Sequence, residues 1–181
     1  MSIRYSIVGM VLILILSCAR PMKNEPMENA RQFFKKLEKN GGSWVHFPND
    51  TTVAFDAFIM KFELMEGDTL SGEILGSSKS GDTILFWTVR EYHDAKKDSI
   101  FFEQKGGYGS ASGFSFFPDA LKRESHFKMT YSNGATRMHK DTHIFLNDST
   151  LLTKSQIFDD KSQKWIKQPD ATWTFNHTIK K

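Results

Sequence analysis

Residues 121–158 read LKRESHFKMTYSNGATRMHKDTHIFLNDSTLLTKSQIF. Three runs of alternating side chains are separated by Asn133-Gly134 and by Asp148-Ser149. Asn-Gly between alternating segments is the strongest short hairpin signal, and it predicts a two-residue turn. That turn sets Thr130 against Arg137, Lys128 against His139, His126 against Asp141 and Glu124 against His143. All are polar, so this face is expected to meet water. The other face pairs Met129 with Met138, Phe127 with Lys140, Ser125 with Thr142, Arg123 with Ile144 and Leu121 with Leu146. A turn at Asp148-Ser149 continues that second face through Leu151, Thr153, Ser155 and Ile157. A one-residue slip would exchange the faces of a strand. The expectation is therefore a three-stranded antiparallel unit whose core face holds an unusual number of polar groups.

Those polar groups define the candidate binding site. Ser125, Thr142 and Ser155 would form a layer of small side chains, leaving volume inside the fold. Arg123, Thr153 and Lys140 would lie beside it, and a buried cation demands an acceptor. A ligand with an anionic or carbonyl head would meet Arg123 and Lys140, and its apolar part would meet Phe127, Met129 and Met138. An internal salt bridge, or a side chain snorkelling from an open rim, satisfies the cation equally well.

The pattern extends outward. Strand signals cover Phe58–Leu64, Leu70–Leu75, Thr83–Tyr92 (with Leu85, Trp87 and Val89 on one face), Ser99–Gln104 and Tyr108–Phe117. Thr172–Ile179 closes the series, with a short piece around Trp165 before it. Nine or ten short antiparallel strands read as a barrel or a sandwich. One helix is expected, over residues 28–39, because Ala30, Phe33, Phe34 and Leu37 recur at helical spacing before Gly41-Gly42.

Other constellations carry less. His139 and His143 share a strand face, but four residues of strand span about 13 Å, too far for two zinc ligands each about 2.1 Å from one ion. The register above places His126, His139 and His143 toward solvent, so no metal is expected. Tyr92-His93-Asp94 reads as the polar end of a strand, and Asp159-Asp160 as a solvated turn. The glycine-rich run Lys105–Gly113 lacks the spacing of a dinucleotide loop and is followed by a strand pattern. It is expected to bend sharply or to make room in a lumen. No nucleophile elbow is present, no catalytic residue is assigned and no cofactor is called for. A formal net charge of +3 argues against a nucleic-acid partner.

The N-terminus supplies an address. Ile7–Leu16 is an apolar run that would rise only about 15 Å as a helix, too short to span a bilayer. It ends in Ile15-Leu16-Ser17-Cys18, and Cys18 is the single cysteine of the chain. The four residues resemble a bacterial lipobox. That resemblance implies a signal peptide over residues 1–17, cleavage before Cys18, and acylation of Cys18 by palmitate-type chains. Several chains hold a protein stably to a bilayer. Residues 18–28 then read as a lipid-anchored tether, and 29–181 as one domain. Ala19, rather than an aspartate, points to the outer membrane of a bacterial cell envelope.

Gly42-Ser43-Trp44 at the first strand, after a single helix, resembles the entry of lipocalin-like (calycin) barrels. The run from Asp159 through Trp165 to Trp173 and Phe175 is similar to uncharacterised lipocalin-like bacterial lipoproteins. The resemblance implies an all-β, antiparallel barrel of 8–10 strands with one short N-terminal helix. It also implies that Trp44 packs across the closed end near a basic residue of the last strand. Such barrels often carry an arginine there; this chain offers Asn176, His177 and Lys180. The functional expectation is a membrane-anchored binder of a small hydrophobic ligand. The alternatives are an accessory protein with an envelope protein partner and a packed core, or a lumen isomerase or hydrolase.

Overall fold

The computed structural model describes residues 25–49 and 54–176. The signal segment, Cys18 and the tether up to residue 24 lie outside these residues, as do 177–179 of the last expected strand. The helix, α1 (Glu25–Glu38), starts three residues earlier than its apolar spacing suggested and takes in the end of the expected tether. A single 3-10 turn, Lys39–Gly41, leads into β1 (Ser43–His46).

Ten strands follow: β2 (Ala57–Met65), β3 (Thr69–Ser77), β4 (Thr83–Asp94), β5 (Ser99–Gly106), β6 (Gly109–Asp119), β7 (Lys122–Tyr131), β8 (Thr136–Asn147), β9 (Thr150–Asp159), β10 (Lys164–Lys167) and β11 (Ala171–Asn176). Each of β1 to β8 pairs antiparallel with the next, β8 pairs with β9, β9 with β11, and β11 with β1. The result is a closed ten-stranded, lipocalin-like barrel. Closure leaves no free sheet edge in the ring. β10 shares an edge of β9 with β11, pairing at residues 156–159 where β11 pairs at 150–153.

The register of the central unit differs from the expected one by a residue at both hairpins. Arg123 faces His143, Ser125 faces Asp141, Phe127 faces His139 and Met129 faces Arg137. The cause is the turn. Ser132-Asn133-Gly134 is a three-residue loop in which Tyr131 N–H donates to Ala135 O at 2.8 Å and Asn133 Oδ1 accepts from Ala135 N–H at 3.0 Å. Gly134 holds φ +82°, the left-handed position such a loop requires. The offset is reversed by a bulge at Leu146, between the pairs Phe145–Leu151 and Asn147–Thr150. The inner faces of β7 and β9 are therefore those expected, and that of β8 is inverted. Met138, Lys140 and Thr142 project outward, and His139, Asp141 and His143 project inward.

The outer face bears this out physically. Met138 is 44% exposed, and Lys140 Nζ stands 4.0 Å above the ring of Trp165. Leu121 and Leu146 are also exposed, contrary to the expected core face. A second bulge, at Phe86, separates the pairs Ile74–Trp87 and Leu75–Leu85. It turns Leu85 outward, away from Trp87 and Val89, and brings Phe86 inside. In β6 a side chain at Gly113 would collide with the carbonyl of His126 and the Cβ of Phe127, so a bare backbone is needed where β6 and β7 close together.

α1 stoppers one end of the barrel. Ala30, Phe33, Phe34 and Leu37 are all at most 1% exposed. Phe33 packs 4.9 Å from Phe145 and 5.5 Å from Phe117, ring to ring. Trp44 is fully buried between Phe145 and Phe175, and its Nε1–H donates to Leu37 O at 2.9 Å. Polar ties pin the helix at three rim positions. Asn29 donates to Phe117 O, Arg31 reaches Asp68 and Lys36 reaches Asp148. Lys36, through that hydrogen bond first, holds the Asp148 carboxyl below its ordinary range.

Candidate functional site

Directly under the stopper lies a polar layer. Alternation along β4 carries Trp87, Val89 and Glu91 to the inside, and alternation along β7 carries Arg123, Ser125, Phe127 and Met129. Glu91 is completely buried, and its Oε1 accepts from Arg123 Nη1. Arg123 Nη2 stands 3.0 Å from His143 Nδ1 and 3.1 Å from Nε2. The guanidinium carbon lies 5.7 Å from the centre of the Phe33 ring, so the helix forms its lid. Ser115 and Ser125 share a hydrogen bond at 2.8 Å in the same layer. Two buried atoms there, Glu91 Oε2 and Arg123 Nε, have no hydrogen-bond partner.

The burial of these groups sets their charges. It pushes the Glu91 carboxyl up, against the opposing pull of Arg123 and of the Ser115 hydroxyl. Burial, and then the Arg123 charge, push His143 well below its ordinary value, so its ring is neutral near pH 7. A neutral ring can accept from the guanidinium, which an imidazolium could not. Asp141 is half-buried. Its carboxyl is pushed up by burial, with the Ser155 hydroxyl and Arg123 acting in the other direction.

Beyond the layer the barrel is hollow. A cavity of about 270 Å³ has Arg123, Ser125, Asp141, His143 and Thr153 at its polar end. Its walls run past Met60, Ile74, Val89 and Phe127 to Phe58, Phe86 and Trp87, at the strand ends opposite the helix. Thr153 Oγ1 accepts from Trp173 Nε1–H at 3.0 Å, which fixes another aromatic wall. At the far end Phe86 stacks on Tyr108, 4.8 Å away and within 13° of parallel.

Of the residues singled out from the sequence, Arg123, Ser125, Phe127 and Thr153 line the cavity. Ser155 sits beside Asp141, and Met129 packs with Val89, Phe102, Ala111 and Phe127. Met138, Lys140 and Thr142 are outside the lumen, for the register reason above. The acceptor that Arg123 demands is internal: Glu91. The inward places of His139 and His143 also overturn the solvent-facing expectation. His139 stacks on Phe127 at 5.3 Å and meets Tyr131 Oη at 3.0 Å, and burial and then Arg137 lower its pKa. His93, at the end of β4, instead pairs with Asp98 across the turn to β5, at 3.0 Å.

No protein-family model matches the chain, and neither a curated protein nor a solved structure matches it. The site is thus read on its own chemistry. Among the described residues no three His, Cys, Asp or Glu side chains gather in a metal-holding group. Glu91, Asp141 and His143 are the functional candidates that sequence reasoning missed. Glu91 had a signal: it continues the period-two face of Trp87 and Val89, where a carboxylate requires a cation opposite. Asp141 and His143 had none, since their facing depends on the loop at 132–134.

Proposed function

We propose that this protein holds a small, partly apolar molecule inside its barrel, while lipid on Cys18 anchors the chain to the bacterial outer membrane. The observation that supports the binding reading is the cavity itself, apolar along its walls and polar at one end. Ligand sites are concave, mostly apolar and oriented by a few polar groups, with volumes of about 300–1,000 Å³. A hollow of about 270 Å³ lies just below that range, so the occupant is a small molecule or a single short chain. A barrel serving only as a surface scaffold gains nothing from unfilled core volume, which weakens contacts around it.

Native mass spectrometry of the full chain, purified from its host in mild detergent, tests the reading. A discrete additional mass that leaves on unfolding supports it. A clean unliganded mass, with no thermal shift from any small amphiphile, overturns it. For the anchor, labelled palmitate should enter the wild-type chain and not Cys18→Ser, which should leave the membrane fraction. Labelling that survives the substitution removes the anchor reading.

A second reading is favoured by Asp141 and His143, titratable groups with displaced pKa values at the polar end of an apolar hollow. In it the barrel isomerises its ligand, with Asp141 as the base. Asp141→Asn would then still hold the ligand but abolish its conversion.

A further inference from the structure

Which head group the lumen accepts follows from how Arg123 is already engaged. We infer that the barrel selects amphiphiles with a hydrogen-bond-donating head, a hydroxyl or an amine, that Asp141 receives this head, and that carboxylates are rejected. The inference rests on the lumen-binding reading above and deepens it.

Among the described residues Arg123 is the one Lys or Arg that lines the cavity. Its Nη1 is held by Glu91, and its Nη2 faces the ring of His143. Its Nε is fully buried, so no arriving group reaches it. An incoming carboxylate would find the guanidinium compensated by Glu91. It would also stand close to Asp141, a second carboxyl at the same end of the hollow. Like charges in a poorly solvated space repel strongly, and an unpaired buried carboxylate is costly.

The other polar lining groups, Gln104 and the hydroxyls of Ser125 and Thr153, can donate or accept, and among the described residues Asp141 is the one carboxyl of the lining. The Thr153 oxygen already receives the Trp173 indole N–H, and the Ser125 hydroxyl is shared with Ser115. Among the described residues the Ser155 hydroxyl acts on the carboxyl of Asp141 as a hydrogen-bond donor, which leaves acceptor sites on its oxygens. A ligand O–H or N–H aimed at Asp141 satisfies that carboxyl while its carbon chain lies along Met60, Ile74, Val89 and Phe127. The discrimination belongs to Asp141 and not to Lys140, whose charge lies on the outer wall against Trp165.

The test is a matched series on the full-length protein: octanol, octylamine and octanoate, titrated at neutral pH. The readout is quenching of tryptophan emission, because Trp87 and Trp173 both line the cavity. Octanol or octylamine should bind at least about tenfold more tightly than octanoate, as expected when one partner meets an acceptor and the other a like charge. Asp141→Asn should bring the three within about threefold of one another, and Lys140→Ala should leave the order unchanged. Octanoate binding as tightly as the amine and alcohol overturns the inference but leaves lumen binding standing. Wild-type preference retained in Asp141→Asn removes Asp141 as the acceptor and overturns it too. If none of the three binds and native mass spectrometry also finds no occupant, the binding reading itself falls, and the inference with it. The wild-type series stands alone if the variant fails to fold.

Discussion

The two ends of this barrel handle the same strands differently. At the helix end, four apolar side chains of α1 fill the opening, Trp44 is clamped between Phe145 and Phe175, and rim ion pairs hold the stopper down. At the opposite end the aromatic rings of Phe55, Phe58, Phe86 and Tyr108 touch one another, but Phe58 and Phe86 border a hollow. The difference teaches where stability resides and where the proposed guest would lie. Close-packed interior resists change, whereas a site that must admit a guest gives up contacts of its own. The layer of Glu91, Arg123 and His143 is the boundary between the two regimes.

The sharpest way to break this comparison is to truncate one ring at each end. Phe33→Ala should cost about 3–5 kcal/mol in urea unfolding, because its packed neighbours cannot collapse into the space. Phe58→Ala should cost only about 1–2 kcal/mol, since it widens an existing hollow. Equal losses would mean that the two ends are packed alike.

The boundary layer comes next. Arg123→Met leaves Glu91 buried without its cation and should cost about 3–5 kcal/mol. The double variant Arg123→Met with Glu91→Leu should recover most of that loss. If the double variant were as unstable as the single, the guanidinium would matter for its packing under Phe33 rather than for its charge.

A smaller effect lies in the pH dependence. The folded state holds His143 below its ordinary value of 6.5, so the unfolded chain takes up a proton that the folded one refuses. That contribution to stability is complete above 6.5 and is lost as pH falls toward the depressed folded value. Glu91 and Asp141 act with the opposite sign. Their raised carboxyls add stability below the ordinary values of 4.5 and 3.8, and this fades as pH rises through the folded values. His143→Gln should flatten the loss of melting temperature between pH 7 and the mildly acidic range set by His143. An unchanged slope there would place the ring in water.

The smallest expected effect tests the register. Met138→Glu should change stability by less than about 0.5 kcal/mol, because this side chain is exposed on the outer wall. The two-residue turn would have buried that carboxylate in the core, at a cost of several kcal/mol. Thermal melts of this one variant therefore separate the two registers.

Much of the architecture was legible because period-two alternation and helical spacing are local signals. Ala30, Phe33, Phe34 and Leu37 announced the stopper, and the strand series announced an antiparallel barrel or sandwich, between which the strand signals alone did not choose. Within the site, Arg123, Ser125, Phe127 and Thr153 were legible from their own strands. Met138, Lys140 and Thr142 were misread because the facing of β8 is inherited from a turn. Asn133-Gly134 fits both a two-residue turn and the last two positions of a three-residue loop. Local sequence offers little to choose between them.

By itself, then, the sequence determined the strands, the stopper helix, and which side chains of β7 and β9 face inward. Alternation is written into each strand separately, so these faces needed no partner to define them. Only the tertiary structure decided what meets Arg123. Closing the ring requires particular twists and offsets, met here by the loop at 132–134 and the bulges at Phe86 and Leu146. Each such offset exchanges the two faces of a strand. That geometry, rather than any motif, gathered Glu91, Asp141 and His143 at the polar end of the hollow.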